Sequence, residues 1–224
     1  MSLPLMIFAA GRGTRMLHLT QTRPKPMIEV AGRPLIDHAI ALGRDAGAGR
    51  IVANAHYLHE RLAPHLRAQD VQVSLEWPDL LDTGGGLRLA RPLLGDGPVW
   101  TLNSDMLWTG PNPLRALEAA WRPGMGALMM TVPLDRAHGR KGGGDLSLDA
   151  KGRLSFGGDL VYAGAQIIDP TLVEDIPDRV FSIREVWLRL ADEGRLFGLV
   201  HPGHWADVGH PEGIAIAEDM LARA

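Results

Sequence analysis

The chain has 224 residues, 46% of them hydrophobic and 22% charged, with a formal net charge of −3. That is enough for one sizeable α/β domain with its own core and too apolar for a disordered chain, and the lack of a basic excess argues against a nucleic-acid partner. The absence of cysteine excludes disulfides, thiolate metal sites and a Cys nucleophile and accords with a reducing cytoplasm, while no apolar run reaches the length of a membrane span.

Apolar runs alternate with helical patterns, the signature of βαβ units around a mostly parallel sheet. Residues 5–10 form an unbroken apolar run, the kind of strand buried on both faces. A helix is predicted over 35–45, with Ile36, Ala39 and Ile40 on one face. Then follow a strand over 50–55, a helix over 58–68, a strand over 71–77 and a short helix over 86–94. A strand over 99–103 leads to a helix over about 113–121, where Pro113 suits the first turn after Asn112. The next strand spans 127–132.

Beyond it the texture changes. Residues 138–158 are dense in glycine and turn dipeptides and read as a β-hairpin insertion with a mobile loop, inside a single domain spanning 1–224. A strand resumes over 161–168. Ser182-Ile183-Arg184-Glu185 is a capping-box pattern opening a helix to about 193, with Phe181 and Val186 placed as a hydrophobic staple. A strand over 196–200 and a C-terminal helix starting at His210-Pro211-Glu212 complete the order.

Ala9-Ala10-Gly11-Arg12-Gly13-Thr14-Arg15-Met16 follows the first strand and carries the clearest chemical signal. Glycines at 11 and 13 let a backbone approach phosphates, exposed N–H groups can form an anion nest, and Arg15 offers a planar fork for phosphate oxygens. Met16 stands where a dinucleotide fingerprint needs its third glycine, and no Walker A pattern occurs. Taken alone, the segment could be an ordinary glycine-rich turn. Lys25, between Pro24 and Pro26, is held at a fixed angle and could be a point charge for a phosphate or plain solvated surface.

These residues, with Leu19-Thr20, the segment 28–36, Asp82-Thr83-Gly84-Gly85-Gly86, Asn103-Ser104-Asp105 and Trp205-Ala206-Asp207-Val208-Gly209, resemble the sugar-1-phosphate nucleotidylyltransferase family. The likeness runs from Ile7 to the C-terminus. Asn54-Ala55-His56-Tyr57-Leu58 and Leu93-Leu94-Gly95-Asp96 make it most similar to the N-acetylmuramate-1-phosphate uridylyltransferases of cell-wall recycling. The resemblance implies an α/β, Rossmann-like nucleotide-diphospho-sugar transferase fold, with a mixed, mostly parallel sheet flanked by helices. It implies transfer of a nucleotidyl group from UTP to a sugar-1-phosphate with Mg²⁺, in a cytoplasmic monomer or weak dimer without nucleic-acid or membrane partners. Mannose-1-phosphate guanylyl transfer or another hexose-1-phosphate nucleotidylyl transfer, and a non-catalytic nucleotide sensor, are the alternatives. His18 replaces the family's usual Pro, Ser104 its usual Gly, and a sugar-binding Glu-Lys-Pro segment is missing from its expected region.

The same resemblance distributes the site. Arg15 and Lys25 are the expected catalytic residues. Ala10, Gly11, Gly13, Thr14, Arg15, Lys25, Asn54, Glu76, Thr83 and Gly84 are expected at the nucleotide, with glycine N–H groups of the 84–86 run reading the base or, equally, an ordinary helix cap at Asp82 or Thr83. Asp145, Tyr162 and Gly164 are expected at the sugar. Asp105 and Asp207 are expected to hold the metal, since Mg²⁺ accepts one or two carboxylates beside phosphate oxygens and water. His201 and His204 could suggest a further metal pair with Asp207, but their spacing is not a zinc signature.

Overall fold

A computed structural model describes residues 2–224. In chain order the elements are β1 (Leu5–Phe8), two 3₁₀ turns at Thr14–Thr20 and Lys25–Met27, and the small hairpin β2 (Glu29–Val30) and β3 (Arg33–Pro34). Next come α1 (Leu35–Asp45), β4 (Ile51–Ala55), α2 (His59–Arg67), β5 (Gln72–Leu75), α3 (Asp82–Leu94), β6 (Val99–Asn103), β7 (Met106–Trp108), α4 (Pro113–Ala120) and β8 (Ala127–Pro133). The remainder is 3₁₀ turns at Leu134–Arg136 and Pro170–Val173, β9 (Ala137–His138), β10 (Leu146–Leu148), β11 (Leu154–Phe156), β12 (Leu160–Ile168), α5 (Arg184–Asp192), β13 (Leu196–Val200), β14 (Trp205–Asp207) and α6 (Glu212–Ala222).

The main sheet is mixed. β1 lies between β6 and β4, parallel to both, and β5 extends the parallel half. β12 runs antiparallel to β6 and β8, and β13 pairs β8 in parallel. The predicted hairpin forms as β10 and β11, added at the β12 edge.

β1 is buried on both faces as its apolar run requires: Leu5 and Ile7 enter one core and Met6 the other. Ile36, Ala39, Ile40, Leu62, Leu66, Leu114 and Leu117 bring α1, α2 and α4 to the first face. Leu87, Ala90, Leu94, Val186 and Leu190 bring α3 and α5 to the second. Asn112 caps α4, its Oδ1 accepting the N–H of Leu114 at 2.9 Å. At α5 the expected capping box does not form: the helix starts at Arg184, and Ser182 Oγ accepts the N–H of Arg184 at 3.3 Å, not that of Glu185, while Thr83 Oγ1 accepts that of Ile183 at 3.0 Å.

Two further features differ from expectation. α3 begins at Asp82 and not at Gly86, and Gly84 and Gly85 belong to its first turn, where the Phe181 ring and the Arg179 carbonyl lie so close that a Cβ would collide. A separate three-stranded sheet, β7-β14-β9, has no counterpart in the sequence reading, and it carries Asp207.

Candidate active site

β1 sits where the strand order reverses, with β4 and β5 to one side and β6 to the other. Open α/β sheets bind ligands at the carboxyl ends of such strands. A cleft of about 580 Å³ opens there. Its wall includes Ala10, Gly11, Gly13, Thr14, Arg15 and Lys25, the Asn54–Glu76 pair, Asp82 and Thr83, Asn103 to Asp105, and Gly209.

The loop after β1 turns at Gly13, whose φ of 63° lies in the left-handed region and whose Cβ would meet Lys25 Cβ at 2.8 Å. Both facts demand glycine. At Gly11 a Cβ would meet nothing within 4 Å, so its bareness leaves open space over the backbone. Arg15 is exposed at the mouth. Lys25 is held between Pro24 and buried Pro26, and its ammonium donates to the Asp105 carboxylate.

Asp105 and Asp207 come together through β7 and β14. Met106 pairs Asp207 in the ladder, and Val208 donates its N–H to the Asp105 carbonyl at 3.0 Å. Trp205, 1% exposed, anchors β14 by donating from Nε1 to the Ala163 carbonyl at 2.8 Å. Burial first, and then the neighbouring Asp105 charge, push the Asp207 carboxyl above its ordinary 3.8, against the opposing pull of Lys25 and Arg15. Its buried Oδ1 has no hydrogen-bond partner. Gly209 makes room beside it: a Cβ there would stand 2.8 Å from Asp207 Oδ1 and 3.3 Å from an Arg15 Nη1.

On the opposite wall, Glu76 is fully buried. Its Oε1 accepts from Asn54 Nδ2 at 2.6 Å and its Oε2 from the Leu81 N–H at 2.8 Å, while Asn54 Oδ1 accepts the Ala9 N–H at 2.6 Å. Burial lifts the Glu76 carboxyl above its ordinary 4.5 despite these donors.

Several expected residues lie elsewhere. Gly84 does not line the cleft; its N–H and that of Gly85 both donate to the Phe181 carbonyl, at 3.0 and 3.2 Å, so these N–H groups are committed and do not face a base. Tyr162 is half-buried against Trp187 with ring centroids 4.8 Å apart, and desolvation of its hydroxyl pushes the phenol far above the usual value, so it packs and does not line the cleft. Gly164, φ 78°, lies at the bulge of β12, where a Cβ would meet Met106 and Asn103. Asp145 is paired with Arg140 at 2.5 Å. None of the three expected sugar residues is part of the cleft wall. His201 and His204 turn to the Thr109 carbonyl and to His138, not to Asp207. Asp82, Asn103 and Gly209 line the cleft without having been singled out, although each lies in a motif legible in the sequence.

The chain matches the MobA-like NTP transferase domain over residues 5–206. It is 38% identical to the N-acetylmuramate alpha-1-phosphate uridylyltransferase of Caulobacter vibrioides, over 98% of this chain and 97% of that one. It is 30% identical to a probable mannose-1-phosphate guanylyltransferase of Oryza sativa subsp. japonica, over 92% of this chain and 61% of that one. Its fold matches a putative glucose-1-phosphate thymidylyltransferase from Bacillus anthracis with a TM-score of 0.82 at 16% identity, covering 99% and 96% of the two chains. The chain therefore belongs to the MobA-like NTP transferases and, among them, to the sugar-1-phosphate nucleotidylyltransferases, which are enzymes.

Enzymes of this family generally use a divalent metal. The residues present fit one: two adjacent carboxylates offer hard oxygen donors, and the unpartnered, buried Asp207 Oδ1 is the kind of atom a cation satisfies. Among the described residues no cluster of three or more His, Cys, Asp or Glu could form an all-protein cage.

Proposed function

We propose that the enzyme transfers a uridylyl group from UTP to N-acetylmuramate-1-phosphate, releasing pyrophosphate, with Mg²⁺ and in the cytoplasm. The observation that carries this reading is the 38% identity to the Caulobacter enzyme across nearly the full length of both chains. A cleft that joins a glycine-rich loop to Asp105, with Asp207 as its neighbour, supports it. Among the described residues no helix is long and apolar enough to cross a membrane, which is compatible with the proposed location.

The reaction needs no covalent enzyme intermediate. An oxygen of the sugar phosphate attacks the α-phosphorus in line; the new P–O bond forms as the bond to the β-phosphate oxygen breaks, and pyrophosphate carries the electron pair away. The backbone of Ala10, Gly11, Gly13 and Thr14 cradles the triphosphate. Arg15 grips the leaving pyrophosphate through its fork. Lys25, released from Asp105 toward phosphate oxygens, neutralises charge growing in the transition state. Thr83 and the turn before it border the base. Asp105 and Asp207 would hold Mg²⁺, which when bound supplies Lewis-acid neutralisation of phosphate oxygens.

Pyrophosphate release measured across a grid of sugar-1-phosphates and nucleoside triphosphates tests the reading. UTP with N-acetylmuramate-1-phosphate should give the highest kcat/KM. The likeness to guanylyltransferases favours GTP with mannose-1-phosphate as the second reading, and a maximum there would replace the first.

A further inference from the structure

Asn54 and Glu76 look like nucleotide ligands from their place in the cleft wall, yet their polar atoms are already engaged within the protein. The Ala9 N–H, the Asn54 amide, the Glu76 carboxylate and the Leu81 N–H form one continuous buried relay, with links of 2.6, 2.6 and 2.8 Å. Asn54 is 3% exposed and Glu76 fully buried. The relay ties two backbone edges on opposite sides of the cleft: the loop that starts at Ala9, and the turn Leu81-Asp82-Thr83. Asp82 in that turn is held at φ 60°, a conformation costly for a residue with a side chain.

The helix α3 closes over this bond. A Cβ on Gly86 would come within 2.6 Å of Glu76 Oε1 and 2.9 Å of Asn54 Nδ2, so glycine is required for the helix to pass so near. Gly86 itself does not line the cleft.

We infer that Asn54 and Glu76 are positioning residues that fix the span between the Ala9–Gly11 backbone and the Leu81–Thr83 turn, and so set which base the cleft accepts, without touching the nucleotide themselves. The inference rests on the nucleotide reading above. Its chemistry makes a specific demand. The relay needs one donor and one acceptor at its central link, but either residue can supply either. Asn54→Asp alone sets two carboxylates face to face. Glu76→Gln alone turns an amide NH₂ toward one of two donors. Together they restore every link: the carboxylate now at position 54 accepts from the Ala9 N–H and from the amide now at position 76, whose oxygen accepts from the Leu81 N–H. The net charge of the pair is unchanged.

The test is a cycle of four proteins, wild type, Asn54→Asp, Glu76→Gln and the double variant, with UTP and GTP binding measured by calorimetry beside a thermal melt. Each single variant should bind UTP about 10- to 100-fold more weakly, the scale of a broken buried charged hydrogen bond, and should lose part of the UTP-over-GTP preference. The double variant should return to within about threefold of wild type on both measures. Gly86→Ala, remote from the ligand, should reproduce the single-variant loss. Single variants that bind like wild type would overturn the inference, and so would a double variant no better than the worse single, since direct ligands cannot exchange places in this way. If the relay is rescued but the wild type turns over a different sugar or base, the substrate reading fails and the relay stands. A wild-type protein that binds no nucleoside triphosphate would overturn both.

Discussion

Asp105 and Asp207 stand side by side because the N–H of Val208 is bound to the Asp105 carbonyl at 3.0 Å, and this backbone link forces two like charges together. The arrangement costs stability in the absence of a cation and gains its purpose from one.

Asp207→Asn should therefore separate stability from function. Removing the buried charge should raise the melting temperature of the metal-free protein by a few degrees, the equivalent of about 1 kcal/mol for a chain of this size. Turnover should fall by on the order of 10²-fold or more. A variant that melts lower and works normally would mean that the carboxylate is merely structural.

Gly209→Ala tests the room left beside that carboxylate. A methyl 2.8 Å from Asp207 Oδ1 and 3.3 Å from Arg15 Nη1 must displace one of them. Turnover should drop by roughly 10-fold, and because Gly209 is buried the melting temperature should also fall, by the equivalent of about 1–3 kcal/mol, as for an overpacked position. Unchanged kinetics would place Arg15 or Asp207 away from the reacting phosphates.

Arg15 and Lys25 should behave differently. Arg15 is exposed, so Arg15→Ala should lower kcat more than it raises KM and leave the thermal melt unchanged. Lys25 is paired with Asp105, so Lys25→Ala should in addition destabilise the metal-free protein at neutral pH by leaving the carboxylate pair uncompensated. Kinetics and melts of both variants decide, and equal effects on stability would contradict the pairing.

Much of this molecule is legible in its sequence, for reasons that also mark the limit. The helix α1 and the strand β6 form at the predicted residues because each is a contiguous segment with a clear apolar pattern. The glycine run at 84–86 misleads, since glycine disfavours helices locally and only the Phe181 ring and the Arg179 carbonyl reveal why it is tolerated. The strands that deliver Asp207 are two or three residues long and exist only through long-range pairing, so periodicity cannot show them. Motif resemblance does better than pattern there. It singles out Arg15, Lys25 and Asp105, which line the cleft, and Asp207, which neighbours Asp105 but is not part of that wall, yet it cannot tell that the Tyr162 side chain packs against Trp187.

Glu76 gives the pH dependence a sign. Its carboxyl is raised by burial above the ordinary 4.5, so the folded protein holds that proton more tightly than the unfolded chain. The stability it contributes is fully present below pH 4.5 and is lost as pH rises through its folded value. Melting temperatures of wild type and the non-titrating Glu76→Gln, compared from about pH 4 to about pH 7, should show the wild-type advantage shrinking as pH rises. An advantage that grows would reverse the sign.

The most direct measurement is pyrophosphate release from UTP and N-acetylmuramate-1-phosphate by the wild type and by folded Asp105→Ala, each with Mg²⁺ and with a chelator. The account predicts steady turnover only for the wild type with Mg²⁺, and a loss of on the order of 10²-fold or more from either the chelator or the substitution. Undiminished turnover by Asp105→Ala, or by the wild type stripped of metal, would contradict it.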